Sequence, residues 1–232
     1  MRVAWMLLLV ACGARSAEGT SASWLEGVWS DGETTEAWAS DGSVLYGASV
    51  NGDAIELMRF DGRHLLAAPS GTSPVRFATR RTRGGSFEVF LEGHDPEWVR
   101  YAREGDVLVA SIGAEAEHAR WRLLPLEGWE PLLAPVGAKV ERREDGVWLT
   151  LEPCHCGARL RCVGLHEDGV LTLFAGVADG SCDACLPVSA RCEVDEGEAT
   201  TVTLGGRALS TSSEGGFEGT GLVLGLPMHT GL

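Results

Sequence analysis

Six cysteines lie close together in this chain of 232 residues, and their spacing suggests chemistry more directly than that of any other residue type. They form two triplets about twenty residues apart: Cys154, Cys156 and Cys162, then Cys182, Cys185 and Cys192. Cys-x-x-Cys pairs with a nearby histidine are familiar zinc ligands. The same six residues could instead form disulfides, or Cys182-x-x-Cys185 could be a redox-active pair. The choice depends on the compartment in which the chain folds.

The first twelve residues indicate that compartment. Met1-Arg2 is followed by an apolar run over residues 3–11, which is too short to span a bilayer but typical of a signal peptide. It ends on Leu9-Val10-Ala11-Cys12, which resembles the lipobox of bacterial lipoprotein signals. The resemblance implies export and a lipid anchor on Cys12, at the outer membrane if the cell has two membranes. The alternative is an ordinary secretory signal cut near Ala14-Arg15-Ser16.

Export favours disulfides over zinc, because an oxidising compartment and an even number of cysteines predict a disulfide framework. Six cysteines allow 15 pairings. Cys154 and Cys156 are poorly placed to pair with each other along one extended strand, so bridges from the first triplet to the second are favoured. Cys182-x-x-Cys185 lacks the βαβ context of redox motifs. No metal and no cofactor are therefore expected.

A second set of polar and amphipathic residues lies in the first half of the chain: Glu36, Trp38, Glu56, Arg59, His94, Asp95 and Tyr101. Both glutamates could point into one lumen, and His94 beside Asp95 could be an oriented acid or base. The simpler interpretation is that interior Glu-Arg pairs satisfy one another, that Gly93-His94-Asp95-Pro96 is an ordinary turn, and that the aromatic residues fill the core. No Gly-x-Ser-x-Gly, P-loop or dinucleotide motif occurs, which favours a non-enzymatic protein.

Short strands must position these residues. Between residues 24 and 124, turn signals such as Asp41-Gly42 and Asn51-Gly52 recur every eight to twelve residues, a spacing typical of consecutive antiparallel hairpins. About ten strands favour an up-and-down barrel over a sandwich, since a barrel leaves no edge exposed. Two strands are predicted before Asp41, and the others at residues 44–46, 54–60, 64–67, 75–78, 87–91, 98–101, 107–112 and 119–123.

Several short motifs follow one another through this region: Leu25-Glu26-Gly27-Val28-Trp29, Glu36-Ala37-Trp38, Val44-Leu45-Tyr46-Gly47, Glu56-Leu57-Met58-Arg59, Ala68-Pro69-Ser70-Gly71, His94-Asp95, Tyr101 and Gly105-Asp106. Their order and spacing resemble an uncharacterised bacterial domain-of-unknown-function family with a lipocalin-like barrel. The resemblance implies a barrel over residues 24–124. The seven polar and amphipathic residues above are shared with the family pattern and are the candidate ligand-binding residues.

Gly27-x-Trp29, near the start of the first strand, also resembles the first-strand signature of the calycins. That resemblance implies that Trp29 plugs one end of the barrel and that an arginine from the last strand lies over its ring. Arg120 and Arg122 share one face of the last predicted strand. One of them is expected to contact Trp29 through a cation-π interaction of about 0.5 to 2 kcal/mol.

The predicted fold class is all-β, with a lipocalin-like barrel followed by a small disulfide-stapled β domain. Residues 1–23 are a signal peptide and tether, and residues 125–135, with three prolines, predict a linker. Residues 136–207 hold the cysteines and six predicted strands at residues 139–142, 147–151, 160–163, 170–174, 188–192 and 200–204. Residues 208–232 are a Gly/Ser-rich tail, either loosely held or ending in one strand at residues 222–226.

A net charge of −14 argues against nucleic acid and anionic lipid surfaces. Membrane contact is therefore expected through the lipid anchor only. The favoured hypothesis is an envelope lipoprotein that binds a small apolar molecule in its barrel. One alternative is a structural module with a filled barrel that docks on another envelope protein. The other is an enzyme that uses Glu36, Glu56 and His94. An open apolar lumen of a few hundred cubic ångströms favours the first hypothesis.

Overall fold

The computed structural model describes residues 22–226, apart from residues 53, 70, 129, 153–158, 179–186, 196 and 214. The fold is all-β, as predicted: apart from a 3-10 turn at Ser23–Leu25, its regular elements are strands. In this part of the chain, no helix has the length and apolar character needed to cross a membrane. The predicted signal segment, Cys12 and the cysteines at 154, 156, 182 and 185 lie outside the described residues.

Ten antiparallel strands form a closed barrel in which each strand pairs with the next along the chain. The ring closes where β1 pairs with β10, through Trp29 opposite Pro125 and Ser30 opposite Leu124. The predicted up-and-down barrel is thereby confirmed. Its strands are β1 Gly27–Ser30, β2 Thr34–Asp41, β3 Val44–Asn51, β4 Ala54–Phe60, β5 His64–Ala68, β6 Val75–Arg83, β7 Ser86–Phe90, β8 Trp98–Glu104, β9 Val107–Gly113 and β10 Glu117–Pro125.

Local sequence accounts for these hairpins. Gly42 and Gly105 have φ angles of 63° and 66°, in the left-handed region that glycine adopts without strain, so each chain reversal falls where the turn dipeptide predicts it. Side chains alternate along the strands: in β8, Val99 and Tyr101 are buried and Arg100 is exposed.

Because every connection reverses the chain, alternate turns lie at opposite ends of the barrel. The N-terminal turn lies at the same end as the turns at residues 42–43 and 105–106.

A second sheet contains the remaining nine strands, in the order β15-β12-β11-β19-β18-β17-β14-β13-β16. The two edge strands, β15 and β16, are consecutive in sequence on either side of Cys192, so the sheet folds back on itself. Cys192 forms a disulfide with Cys162 of β13, which links the first cysteine triplet to the second, as predicted. The strands are β11 Leu132–Arg143, β12 Gly146–Glu152, β13 Arg159–Glu167, β14 Val170–Ala178, β15 Val188–Arg191, β16 Glu193–Val194, β17 Thr201–Leu204, β18 Arg207–Thr211 and β19 Phe217–Leu226.

The segment predicted as a tail is part of this second sheet. β18 and β19 lie within residues 208–232 or at their edge, and β19 pairs with β11 from Leu132 opposite Gly225 to Val140 opposite Phe217. β19 also pairs with β18 and β14. The glycines of β19 interrupt the alternation of apolar and polar residues by which a strand is recognised in sequence. They also allow close packing, because a Cβ on Gly221 would come within 2.4 Å of the Leu204 side chain. The linker is correspondingly shorter than predicted, since β10 ends at residue 125 and β11 begins at residue 132.

The two sheets share a hydrophobic core. The outward-facing side chains of β2 to β5 include Ala37, Ala48 and Leu57, and they pack in one cluster with Val163 and Phe174 of the second sheet. Each large apolar side chain buried in this way contributes roughly 1.5 to 3 kcal/mol. β2 is consequently buried on both of its faces over its first six residues. This contact fixes one wall of the barrel against the second domain.

Candidate functional site

Aromatic side chains fill one end of the barrel. Phe60 and Phe87 stack with ring centroids 4.2 Å apart, and Tyr101 meets Trp38 edge to face at 5.4 Å. Trp38 is fully buried and lies over Gly47, where a Cβ atom would come within 2.6 Å of the indole ring. These four rings, Trp38, Phe60, Phe87 and Tyr101, are here called the aromatic floor. They block the lumen from the end that carries the N-terminal turn.

Trp29 closes the same end. Its side chain is buried, and its Nε1 donates a hydrogen bond of 2.9 Å to the backbone oxygen of Leu25. The guanidinium of Arg103 lies 5.5 Å from the centre of the Trp29 ring. Arg103 reaches this position because it follows Val99 and Tyr101 on the inward face of β8, toward the closed end. Trp29 is thus a buried plug with an arginine over it.

The expectation that Arg120 or Arg122 covers Trp29 is wrong. These two arginines form ion pairs with Glu104 at 3.0 Å and 2.8 Å on the outer surface of the barrel. They do share one face of β10, but Trp121 between them lines the lumen. The alternation along a strand therefore turns both arginines toward solvent.

Above the aromatic floor the lumen is open, with a cavity of about 510 Å³. One wall, formed by β5, β6, β8 and β9, is apolar. The other, formed by β2, β3 and β4, is polar. Pro69, Thr72 and the loop at residues 91–97 lie at the rim. The apolar wall consists of Leu65, Ala67, Val75, Phe77, Val99, Ala110 and Ile112, and the polar wall of Thr34, Glu36, Ser49, Asn51 and Glu56.

The polar wall is built by strand register. Ser49 on β3 lies opposite both Glu36 on β2 and Glu56 on β4, so the three residues form one row across the sheet. Side chains in such a row point to the same side. The carboxylate of Glu36 accepts a hydrogen bond from Trp38 Nε1 at 3.1 Å, and the Tyr101 hydroxyl lies 3.5 Å from its other oxygen. The aromatic floor therefore positions Glu36 at the base of the cavity.

Burial changes the acidity of this row. Glu36 has only 6% of its surface exposed, and burial raises its pKa to about 7, with the charge of Glu56 adding to the rise and the Trp38 hydrogen bond opposing it. Burial also raises the pKa of Glu56, while the nearby Arg161 guanidinium lowers it. The pKa of Tyr101 lies well above its usual value, chiefly because the ring is buried. Near neutral pH, Glu36 therefore exchanges between its neutral and ionised forms.

Arg161 joins the second domain to the rim of the cavity. It lies on β13, and its guanidinium donates hydrogen bonds to the backbone oxygens of Ile55, Ala68 and Pro69. It also pairs with Glu193 at 2.6 Å. Arg161 is adjacent in sequence to Cys162, and Glu193 to Cys192, so the disulfide holds together the two strands that carry this pair. No local sequence signal indicates this contact, because it joins residues about ninety positions apart.

His94 and Asp95 lie at the rim of the cavity but do not form an oriented pair. His94 Nδ1 is 3.1 Å from the backbone oxygen of Pro96, and its ring meets Phe77 edge to face at 5.7 Å. The Asp95 carboxylate instead lies 3.3 Å from Nδ1 of His118. The interpretation of Gly93-His94-Asp95-Pro96 as a turn therefore describes this segment better than an acid–base pair.

Five of the seven candidate residues line the cavity: Glu36, Glu56, His94, Asp95 and Tyr101. Trp38 lies beneath it in the aromatic floor. Arg59 does not reach it, because Glu56 and Met58 face inward and the alternation turns Arg59 outward, where it pairs with Asp61 at 3.4 Å. Sequence analysis missed Ser49 and Trp121. The register of the hairpin at Asn51-Gly52 would have placed Ser49 opposite Glu56.

The lining of the cavity carries acidic groups at three positions, Glu36, Glu56 and Asp95, and contains neither lysine nor arginine among the described residues. In the same part of the chain, no group of three or more His, Cys, Asp or Glu side chains is arranged to hold a metal ion. The arrangement can therefore accept an apolar molecule against one wall and a hydrogen-bonding group against the other.

Comparison with known proteins gives no match. No protein family, no curated protein and no solved structure matches the chain. The shape and the lining of the cavity are therefore the observations from which a function is inferred.

Proposed function

We propose that the protein is an exported envelope lipoprotein that binds a small, largely apolar molecule in its barrel. The observation that carries this proposal is the cavity of about 510 Å³ above the aromatic floor. Its volume falls within the range of small-molecule sites, which is roughly 300 to 1,000 Å³. The lipobox-like Leu9-Val10-Ala11-Cys12 supports lipidation and anchoring at Cys12.

The distribution of side chains supports binding over a purely structural role. A barrel that served only as a scaffold would gain stability from large side chains throughout its interior, since each empty volume forfeits packing contacts. In this barrel large rings fill one end, while Ala67, Val75 and Ala110 leave the other end hollow. The hollow end is also the end that carries the rim loops, so a ligand can enter without passing the aromatic floor.

The test is to fill the cavity. Ala110 lies between Tyr101 and Trp121 across neighbouring strands, so Ala110→Trp places an indole inside the lumen. We expect the wild-type protein to bind the neutral dye Nile red with one saturable site, and Ala110→Trp to weaken that affinity at least tenfold.

Two further variants control this experiment. Ala67→Phe fills the cavity from β5, so it should weaken dye binding as well. Thr82→Trp adds the same indole at an exposed position of β6 and should bind as the wild type does. If both cavity variants fold and bind the dye as well as Thr82→Trp does, the dye sits elsewhere and the proposal is wrong.

A further inference from the structure

The charge around the cavity restricts the kind of molecule that it accepts. The lining contributes the carboxylates of Glu36, Glu56 and Asp95 and no lysine or arginine among the described residues. The guanidinium of Arg161, which lies near Glu56, is engaged by three backbone oxygens of the barrel and by Glu193. Asp95 is exposed at the rim beside His118, so a carboxylate or phosphate entering the lumen would meet like charges chiefly at Glu36 and Glu56, away from bulk water. Fatty acids and phospholipids fit this lining poorly.

The two glutamates of the polar wall, Glu36 and Glu56, are spaced to face one group. Each lies opposite Ser49, and neighbouring strands are about 4.8 Å apart, so their Cα atoms are about 10 Å apart with the serine between them. None of the described residues donates a hydrogen bond to the Glu56 carboxylate, although this side chain lines the cavity and is only partly exposed. A half-buried carboxylate that these residues do not satisfy gains from a donor that a ligand brings.

An ammonium group meets these requirements. It carries a positive charge and three donors, enough for both carboxylates and the Ser49 hydroxyl. The face of Tyr101 or Trp121, which also lines the lumen, can add a cation-π contact. An attached aliphatic or aromatic body would then cover the apolar wall opposite.

We propose, on the basis of the binding function above, that the natural ligand is an amphipathic amine whose ammonium group binds between Glu36 and Glu56. The site is thus selective by charge as well as by size: cationic ligands bind more tightly than neutral ones, and neutral ligands more tightly than anionic ones of the same length.

The test compares three ligands with the same chain length, decylamine, decan-1-ol and decanoic acid, as competitors of Nile red on the full mature protein. At pH 8, above the pKa of about 7 for Glu36, that carboxyl is ionised while the amine is still protonated. We expect decylamine to bind at least tenfold more tightly than decan-1-ol, and decanoic acid to bind most weakly.

Two glutamine variants locate the effect. Glu36→Gln and Glu56→Gln should each weaken decylamine binding by about tenfold and leave decan-1-ol binding within about twofold of the wild type. Glu88→Gln is the matched control, because Glu88 faces outward on β7, close to Arg80. It should change neither affinity.

The outcomes separate the two proposals. If decan-1-ol and decanoic acid bind as tightly as decylamine, or if the glutamine variants weaken the amine and the alcohol equally, the amine inference is wrong while the binding function stands. If none of the three ligands displaces the dye, the binding function itself is wrong.

Discussion

The two ends of the barrel are built from the same ten strands but are packed differently. At one end, buried rings such as Phe60 and Phe87 touch each other and leave no lumen. At the other, small residues such as Ala67 and Ala110 leave a cavity of about 510 Å³. Under the proposed function, this difference divides stability and binding along the barrel axis. Substitutions in the aromatic floor should act on stability, and substitutions in the cavity should act on binding.

The largest effect is expected in the aromatic floor. Phe60→Ala removes a fully buried ring that stacks on Phe87. This substitution should lower the free energy of unfolding by about 3 to 5 kcal/mol. Val75→Ala, at the wall of the existing cavity, should cost only about 1 kcal/mol. Urea denaturation of both variants measures the difference. Equal losses would show that the two ends do not differ in packing.

The second-largest expected effect is a pH dependence of stability that arises from Glu36, which lies between the aromatic floor and the cavity. Glu36 has a pKa of about 7 in the folded state against a usual value of 4.5, so the folded protein keeps a proton that the unfolded chain has lost. Stability should therefore fall as pH rises from 4.5 to 7, by about 3 kcal/mol attributable to this group, with no such penalty below pH 4.5.

Glu36→Gln isolates that contribution. The variant should gain stability relative to the wild type as pH rises through this window, as measured by urea denaturation at several pH values. Glu88→Gln should follow the wild type throughout. A pH dependence that is the same in Glu36→Gln as in the wild type would mean that Glu36 ionises in the folded protein as it does in the unfolded chain.

The smallest effect concerns the outer cover of the closed end. Arg103→Ala should cost about 0.5 to 1 kcal/mol, because it removes a cation-π contact with Trp29 at an exposed site. Arg122→Ala removes only a solvent-exposed partner of Glu104 and should leave the melting temperature unchanged. If Arg122→Ala lost more stability than Arg103→Ala, the arginine that stabilises the closed end would lie on β10 and not on β8.

Features that depend on local sequence could be predicted. Turn dipeptides such as Asp41-Gly42 fix where each hairpin reverses, and a chain of hairpins in which each strand pairs with the next forms an up-and-down barrel. Alternation along β2 and β4 then places Glu36 and Glu56 on the lumen side. The candidates themselves came from the resemblance to a family pattern, and five of the seven line the cavity.

Features that depend on contacts between distant residues could not be predicted. Arg161 reaches the barrel from the second domain, and its partner Ala68 is more than ninety residues away. β19 pairs with β11 across about eighty residues, and its glycines conceal the strand period. Whether Arg120 or Arg122 can cover Trp29 depends on which face of β10 is turned inward. The motif Gly27-x-Trp29 carries no information on that orientation; in the structure, Trp121 faces the lumen and both arginines face solvent.

Occupancy of the cavity is the central claim, and a crystal structure with 10-bromodecan-1-ol tests it most directly. The neutral head group makes the result independent of the amine inference, and bromine can be located by its anomalous scattering. Ligand binding in the barrel predicts a bromine peak inside the lumen, above Trp38 and Tyr101 and beside Val75 and Ile112, that disappears in Ala110→Trp. Bromine bound only outside the barrel, or an identical peak in Ala110→Trp, would contradict it.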